Sequence, residues 1–311
     1  MSIDPLGQII RLLQPRASFS KLVTATSPWA VRPPGEQPFY AALLEGDVEM
    51  KMNGHPPARL SAGDFILIPA STEFTVSGLA SPSDLVLEPT EISPGVFHLG
   101  GPGEPDTRML VGYCCFGTHD AALLVSLLPS RVIVRGERRL TTLVELLSDE
   151  TRAARPARDA VLAHLLEVLL IEAFRTSKGP AAAPGLLRGL ADERVASAMR
   201  AIHGEPQRGW TMGELAKEAG MSRSSFFDRF KREVGIAPME YLLGWRMALA
   251  KDFLRDGRLT IAEIARRVGY SSQSTFSVAF ARTAGTSPTA YGRMMATATP
   301  EVSEASLAFS A

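Results

Sequence analysis

The chain has 311 residues with 33 basic and 33 acidic side chains, a length that leaves room for two domains and a sizeable core. No basic-apolar leader opens it and no apolar run reaches the roughly 20 residues of a bilayer-spanning helix, so a soluble, cytoplasmic protein without a membrane partner is expected. Its only cysteines, Cys114 and Cys115, are adjacent and make a poor staple, which excludes a disulfide-built scaffold and fits a reducing compartment.

In chain order, Asp4-Pro5 reads as an N-cap followed by an N1 proline. Ile9, Ile10, Leu12 and Leu13 then give the apolar stripe of a short helix that Pro15 stops. From Phe19 to about Arg135 the texture changes. Short apolar or alternating runs (residues 39–44, 47–52 and 65–68) are cut by Gly and Pro about every eight to twelve residues, the rhythm of a β-barrel or sandwich. Gly46-Asp47 and Asn53-Gly54 bracket an alternating strand, and Asn-Gly is a strong hairpin signal. Residues 94–107, dense in Pro and Gly, read as a surface loop.

The pattern then turns helical over residues 141–151 and 157–176. The second helix has a nearly continuous apolar face of Leu162, Leu165, Leu166, Leu169, Leu170 and Phe174, which its own barrel or a second copy must cover. A homodimer through this helix is the expectation. Residues 178–185, KGPAAAPG, are a linker by composition.

The stretch 210–231, WTMGELAKEAGMSRSSFFDRFK, reads as two short helices joined by a tight turn. Leu215, Ala216 and Ala219 form a small apolar face, Gly220 supplies the left-handed residue, and Ser222 is an N-cap. Phe226 and Phe230 lie one turn apart and pack back onto the first helix. These are the requirements of a DNA-reading helix-turn-helix.

The chain repeats this pattern. Leu215, Ala216, Ala219, Gly220 and Ser222 recur at an offset of 49 as Ile264, Ala265, Val268, Gly269 and Ser271; Phe226, Phe230, Gly235, Pro238 and Tyr241 recur at an offset of 50 as Phe276, Phe280, Gly285, Pro288 and Tyr291. Between the units a long helix over residues 239–256 carries a stripe of Leu242, Trp245, Leu249 and Phe253. Before them, Asp192 opens a helix with Val195, Met199 and Ile202 on one face. From residue 188 onward 17 Lys and Arg stand against 13 Asp and Glu, so this half is mildly basic and the other half acidic.

On these residues the C-terminal part resembles the DNA-binding domain of the AraC/XylS transcription regulators. The N-terminal part is similar to the cupin-type sensor domain of one branch of that family, through Asp4-Pro5-Leu6, Trp29, Glu45-Gly46, the Gly63-Asp64 turn within residues 60–69, and Gly112-Tyr113. The resemblance implies an α+β, two-domain chain. It has a cupin-like β-barrel with dimerisation helices (1–177), a linker (178–190), an all-α domain with two helix-turn-helix motifs joined by a long helix (191–297), and, by composition, an expected disordered tail (298–311). It implies a bacterial regulator that binds double-stranded promoter DNA as a homodimer, senses a small-molecule effector in its barrel, and has RNA polymerase as a further partner. No cofactor is expected.

The expected DNA-contacting residues are Arg223, Ser224, Ser225, Asp228, Arg229, Lys231 and Arg232 of the first reading helix. Those of the second are Ser272, Gln273, Ser274, Ser277 and Arg282. Asp228 and Val278 face outward where the family often has basic residues. An aspartate there either accepts from a cytosine amine or pairs with Lys231 or Arg232. Poor in phosphate anchors, the second head should be the weaker.

An enzyme is the competing class, because cupin barrels hold metals through histidines. His55, His98, His119, His164 and His203 form no His-x-His pair. Relatives often carry histidine at the positions of Tyr40 and Phe74, and lone loop histidines are usually solvated. Neither a nucleophile elbow, a P-loop nor a dinucleotide fingerprint occurs. A third reading makes the barrel a dimerisation or partner-binding module without a ligand.

Overall fold

The computed structural model describes residues 4–35, 37–70, 72–82, 85–116, 122–153, 155–176 and 184–297. In chain order the first elements are α1 (Pro5–Leu13), β1 (Pro15–Thr26), β2 (Ala30–Val31), β3 (Phe39–Glu45), β4 (Asp47–Met52) and β5 (Ala58–Ser61). Next come β6 (Phe65–Ile68), β7 (Phe74–Gly78), β8 (Thr90–Ser93), β9 (Val96–Gly100), β10 (Thr107–Phe116), α2 (Ala122–Ser126) and β11 (Val132–Val134). Then helices α3 (Arg138–Arg152), α4 (Arg158–Thr176), α5 (Leu186–Ala191) and α6 (Glu193–Gly204) follow. The remainder is α7 (Met212–Glu218), α8 (Arg223–Val234), α9 (Pro238–Asp256), α10 (Ile261–Arg267), α11 (Gln273–Ala284) and α12 (Pro288–Thr297).

The chain packs into two units. Among the described residues, one combines 14–116 with 129–176, the other 4–13 and 122–128 with 184–297. The first unit has a seven-stranded sheet ordered β11-β6-β3-β10-β1-β9-β8 and a four-stranded sheet ordered β2-β7-β4-β5. One apolar core joins them. It takes Phe39, Ala41, Leu43, Ile66, Met109 and Val111 from the large sheet, and Val48, Met50, Phe74 and Val76 from the small one. The opposite face of the large sheet is also covered, with α3 against β1, β3 and β10, and α4 against β1 and β11. Burial on both faces is why β3 and β6 read as unbroken apolar runs whereas β4 alternates.

The alternation along β3 puts Tyr40 and Phe74 on different sides of the large sheet. Phe39 and Phe74 lie in the barrel core with ring centroids 5.0 Å apart. Tyr40 points the other way, and its ring lies across Gly112 of β10. A β-carbon on Gly112 would come within 2.1 Å of Tyr40 Cζ, so glycine is required there by close approach. Histidines at positions 40 and 74 would therefore not share a site. One pocket among the described residues of the barrel core, bounded by Phe39, Leu43, Met50, Ile66, Val76 and Met109, has about 20 Å³, enough for about one water. At the Gly63-Asp64 turn the buried Asp64 carboxylate accepts from the Ser61 amide (2.9 Å), the Gly136 amide (3.2 Å) and Arg135, which ties the β5–β6 turn to the end of β11.

Four expectations need correction. Residues 94–107 are not simply a loop. Val96–Gly100 is a strand parallel to β1 that buries Phe97 and Leu99, and its flanking Pro and Gly residues hid a short alternating run. The apolar face of α4 is not offered to a second copy, because Leu162, Leu166, Leu169, Leu170 and Phe174 are buried within their own chain. The end of the expected linker is ordered structure. Leu186–Ala191 forms α5, with Leu186 fully buried and Gly189 packed so tightly that a β-carbon would meet Val234 at 2.7 Å. Finally, α1 packs on α6 and α9 rather than serving the barrel, so the compact units do not follow a single cut near residue 177. Residues 178–183 of the expected linker and the tail from 298 onward lie outside the described residues.

Burial of the α4 face makes a direct prediction. Leu169→Glu places a carboxylate at a fully buried position and should abolish cooperative unfolding. Val168→Glu lands on the exposed side of the same helix and should leave the melting temperature nearly unchanged. Circular dichroism melts of the two variants check this.

Candidate nucleic-acid interface

In the C-terminal unit the sequence repeat becomes a repeat of local devices. Thr211 accepts from the Glu214 amide (3.2 Å) while the Glu214 carboxylate accepts from the Thr211 amide (2.9 Å), a reciprocal cap on α7. Thr260 and Glu263 do the same for α10, at 3.3 and 2.8 Å. Each cap satisfies amides that a helix start leaves unpaired and contributes roughly 1 kcal/mol. Ser222 and Ser272 cap α8 and α11 through the amides of Ser225 and Thr275, and Gly235 and Gly285 close those helices in the left-handed conformation. Behind each reading helix stands an aromatic column. Phe226, Phe230 and Tyr241 are spaced 5.5 and 5.6 Å, and Phe276, Phe280 and Tyr291 are spaced 5.6 and 5.5 Å.

The two turns differ in one respect. Gly220 has φ +62° and open space around it, so only its backbone conformation demands glycine. Gly269 has φ +84° and also lies under Arg246, whose guanidinium would be 2.6 Å from an added β-carbon. Arg246 projects from α9 and donates through Nε to the Pro206 carbonyl (2.8 Å) and through a terminal nitrogen to that of Arg208 (2.7 Å). Half-burial pulls its pKa below the ordinary arginine value, and the two carbonyls offset that desolvation. One side chain thus links the connecting helix, the entry to the first head and the turn of the second. Sequence reasoning missed it, because an arginine inside an amphipathic helix carries no distinguishing signal.

A cupin family model matches residues 4–177, and a helix-turn-helix domain model matches residues 215–294. An AraC-like transcription regulator of Streptomyces lividans is 34% identical over 93% of this chain and 98% of its own length. The chain belongs to the AraC-like transcription regulators. The HTH-type transcriptional regulator AlkR of Acinetobacter baylyi is 27% identical, over 93% of this chain and 99% of that protein. Among solved structures, ToxT from Vibrio cholerae aligns over 90% of this chain and 98% of its own, with 12% identity and a TM-score of 0.37.

In this AraC-like regulator the expected contact residues fall into two groups. Arg223, Ser224, Asp228, Lys231, Gln273, Ser274 and Arg282 are exposed on α8 and α11. Asp228 has no ion pair among the described residues, and Arg232 pairs instead with Glu233 at 2.8 Å. Others already have structural partners. Ser225 receives the Ser222 hydroxyl, the Ser272 hydroxyl caps its own helix, and Ser277 is half-buried. Arg229 is the main revision. Its Nε lies 2.6 Å from Asp192, the residue that caps α6 through the amides of Arg194 and Val195. Burial alone would raise the Asp192 pKa, but those amides and the guanidinium outweigh it and hold the carboxyl below its usual range. Arg229 therefore locks α8 to the start of α6.

His203 also departs from expectation, for it is buried on α6 rather than solvated. Its Nδ1 faces Gln8 Oε1 of α1 at 2.8 Å, so it donates there. Its Nε2 accepts from the Tyr241 hydroxyl at 2.7 Å, and the ring stacks on Trp245 at 3.9 Å. These are the roles of the neutral imidazole, the form that burial favours. Of the other histidines, His98 bonds Thr24, His55 bonds Ser130 and His164 is exposed, while His119 lies outside the described residues. Among the described residues no three His, Cys, Asp or Glu side chains cluster as metal ligands, and no helix is long and apolar enough to cross a membrane.

Two predictions follow from this geometry. Lys231→Ala should reduce the slope of log affinity against log salt by roughly one with the melting temperature unchanged. Arg229→Ala should lower the melting temperature and alter the slope less. Salt-titrated DNA binding beside thermal melts separates the two. Burial pushes the His203 pKa down to about 3 from an ordinary 6.5, so the unfolded chain takes up the proton first. The stability supplied by the neutral ring is complete above about pH 6.5 and falls between pH 6.5 and 3, by up to about 1.4 kcal/mol per pH unit. Denaturant melts across that window should show the slope in the wild type and a reduced slope in His203→Gln.

Proposed function

We propose that the protein is a cytoplasmic, sequence-specific regulator of a bacterial promoter that reads DNA with α8 and α11 together. The observation that carries this reading is the doubled head: two reading helices, each capped by serine, closed by glycine and backed by the same aromatic column, with polar and charged side chains on the outward face. Held by one connecting helix, such heads suit adjacent major-groove segments about one helical turn, roughly 34 Å, apart. Phosphate contacts fall mainly to Arg223, Lys231 and Arg282, and base contacts to Asp228, Ser224, Gln273 and Ser274.

For the barrel, the reading as an assembly or partner-binding module is favoured over that of an effector container or metal enzyme. The pocket of about 20 Å³ in the barrel core is far below the roughly 300–1,000 Å³ of small-molecule pockets, which supports that reading. A homodimer formed through α3 and α4 would use their exposed Leu146, Val161 and Val168, and RNA polymerase is a further partner of such a regulator at a promoter.

The test is titration of the full chain against a duplex selected from a random pool and against its scrambled counterpart. A preference of about a thousandfold or more at physiological salt is expected. Equal affinity for the two overturns the reading.

A further inference from the structure

The two reading helices are alike inside and opposite outside. Taking about 100° per residue, the position midway between the two buried phenylalanines lies about 200° from each, at the centre of the outward face. In α8 that position is Asp228; in α11 it is Val278. Val278 is 72% exposed, more than any other large apolar side chain among the described residues. It lies in an open recess of about 800 Å³, with Ser274, Thr275 and Arg282 from its own helix face and Leu243 from α9. At the centre of the outward face of a reading helix, this valine offers apolar surface to whatever the helix contacts.

We infer that Val278 reads thymine, by packing against its C5-methyl group at the centre of the second head's major-groove contact. The inference rests on the DNA-reading function proposed above and names the base chemistry of that head. The methyl of thymine is the one apolar group that the major-groove edges of the four base pairs present, so a valine entering the groove discriminates T·A from every other pair. The hydroxyls of Ser274 and Thr275, one turn before Val278, accept or donate to either kind of base edge, and Arg282, one turn after, reaches a phosphate or a guanine. Asp228, at the matching place in the first head, disfavours acceptor-only edges such as that of guanine and accepts from a cytosine amine. The protein is therefore read as a pair of heads with different base preferences, which gives its site a direction along the DNA.

The test uses the full chain and a duplex selected from a random pool, in which each thymine is replaced in turn by deoxyuridine, a change that removes only the methyl. For the wild type, one or two thymines in one half-site should lose about threefold to fivefold in affinity on replacement, the scale of one buried methyl. For Val278→Ala, which keeps its fold because the side chain is exposed, the same replacements should cost less than about twofold. If a specific duplex is selected but no thymine distinguishes wild type from variant, Val278 does not read a methyl and the inference falls, while the DNA-reading function stands. If no duplex is selected over random DNA, the function itself fails and the inference with it.

Discussion

The geometry of the DNA-reading unit depends on a half-buried guanidinium. Arg246 sits midway along α9, and its two carbonyl bonds hold the loop that enters the first head while its plane covers the glycine that turns the second. Two reading helices joined by one helix could in principle twist against each other, because each head packs its own aromatic column and little else is shared. A charged, planar group that donates to two carbonyls resists that twist in a way that apolar packing does not, since loss of either carbonyl leaves a less compensated, desolvated charge. Arg246 thus joins the connecting helix, the entry to the first head and the turn of the second through one side chain.

Around that clamp, the duplicated unit divides its residues by what they can afford to change. Phe226 and Phe276, Phe230 and Phe280, and the capping pairs Thr211–Glu214 and Thr260–Glu263 keep the same chemistry in both copies, because a buried ring or an unpaired helix amide tolerates few substitutes. The outward residues carry no such constraint, and there the copies diverge, aspartate in one and valine in the other. Polar partners are also reassigned between copies. Tyr241 donates to the buried His203, which brings Gln8 of α1 into the unit, whereas the Tyr291 ring stands 5.9 Å from the Lys251 ammonium.

Much of this was legible in the chain, for identifiable reasons. Glycine at 220 and 269, serine at 222 and the phenylalanine pairs announce turn, cap and core through local rules that need no tertiary context. The strand β9 was not legible, because a run of four residues between Pro94-Gly95 and Gly100-Gly101 looks like loop until a parallel neighbour in β1 pairs with it. The apolar face of α4 was correctly read as needing cover, but sequence cannot say whether the cover comes from the same chain. For α1, nothing local distinguishes a helix that serves the barrel from one that packs on α6 and α9. At the reading helices the exposed set was foreseen and the partners were not. That Arg229 turns back to Asp192, 37 residues earlier in the chain, is a tertiary fact.

The central claim is that the two heads form one rigid reader. It is tested most directly by inserting two base pairs between the half-sites of a selected duplex and measuring affinity for the wild type and for Arg246→Ala. A rigid reader predicts a loss of at least about tenfold for the wild type, because the second helix is carried out of register with its groove, and a clearly smaller penalty for the variant, whose heads can rotate. Equal tolerance of the insertion by both proteins would contradict the account.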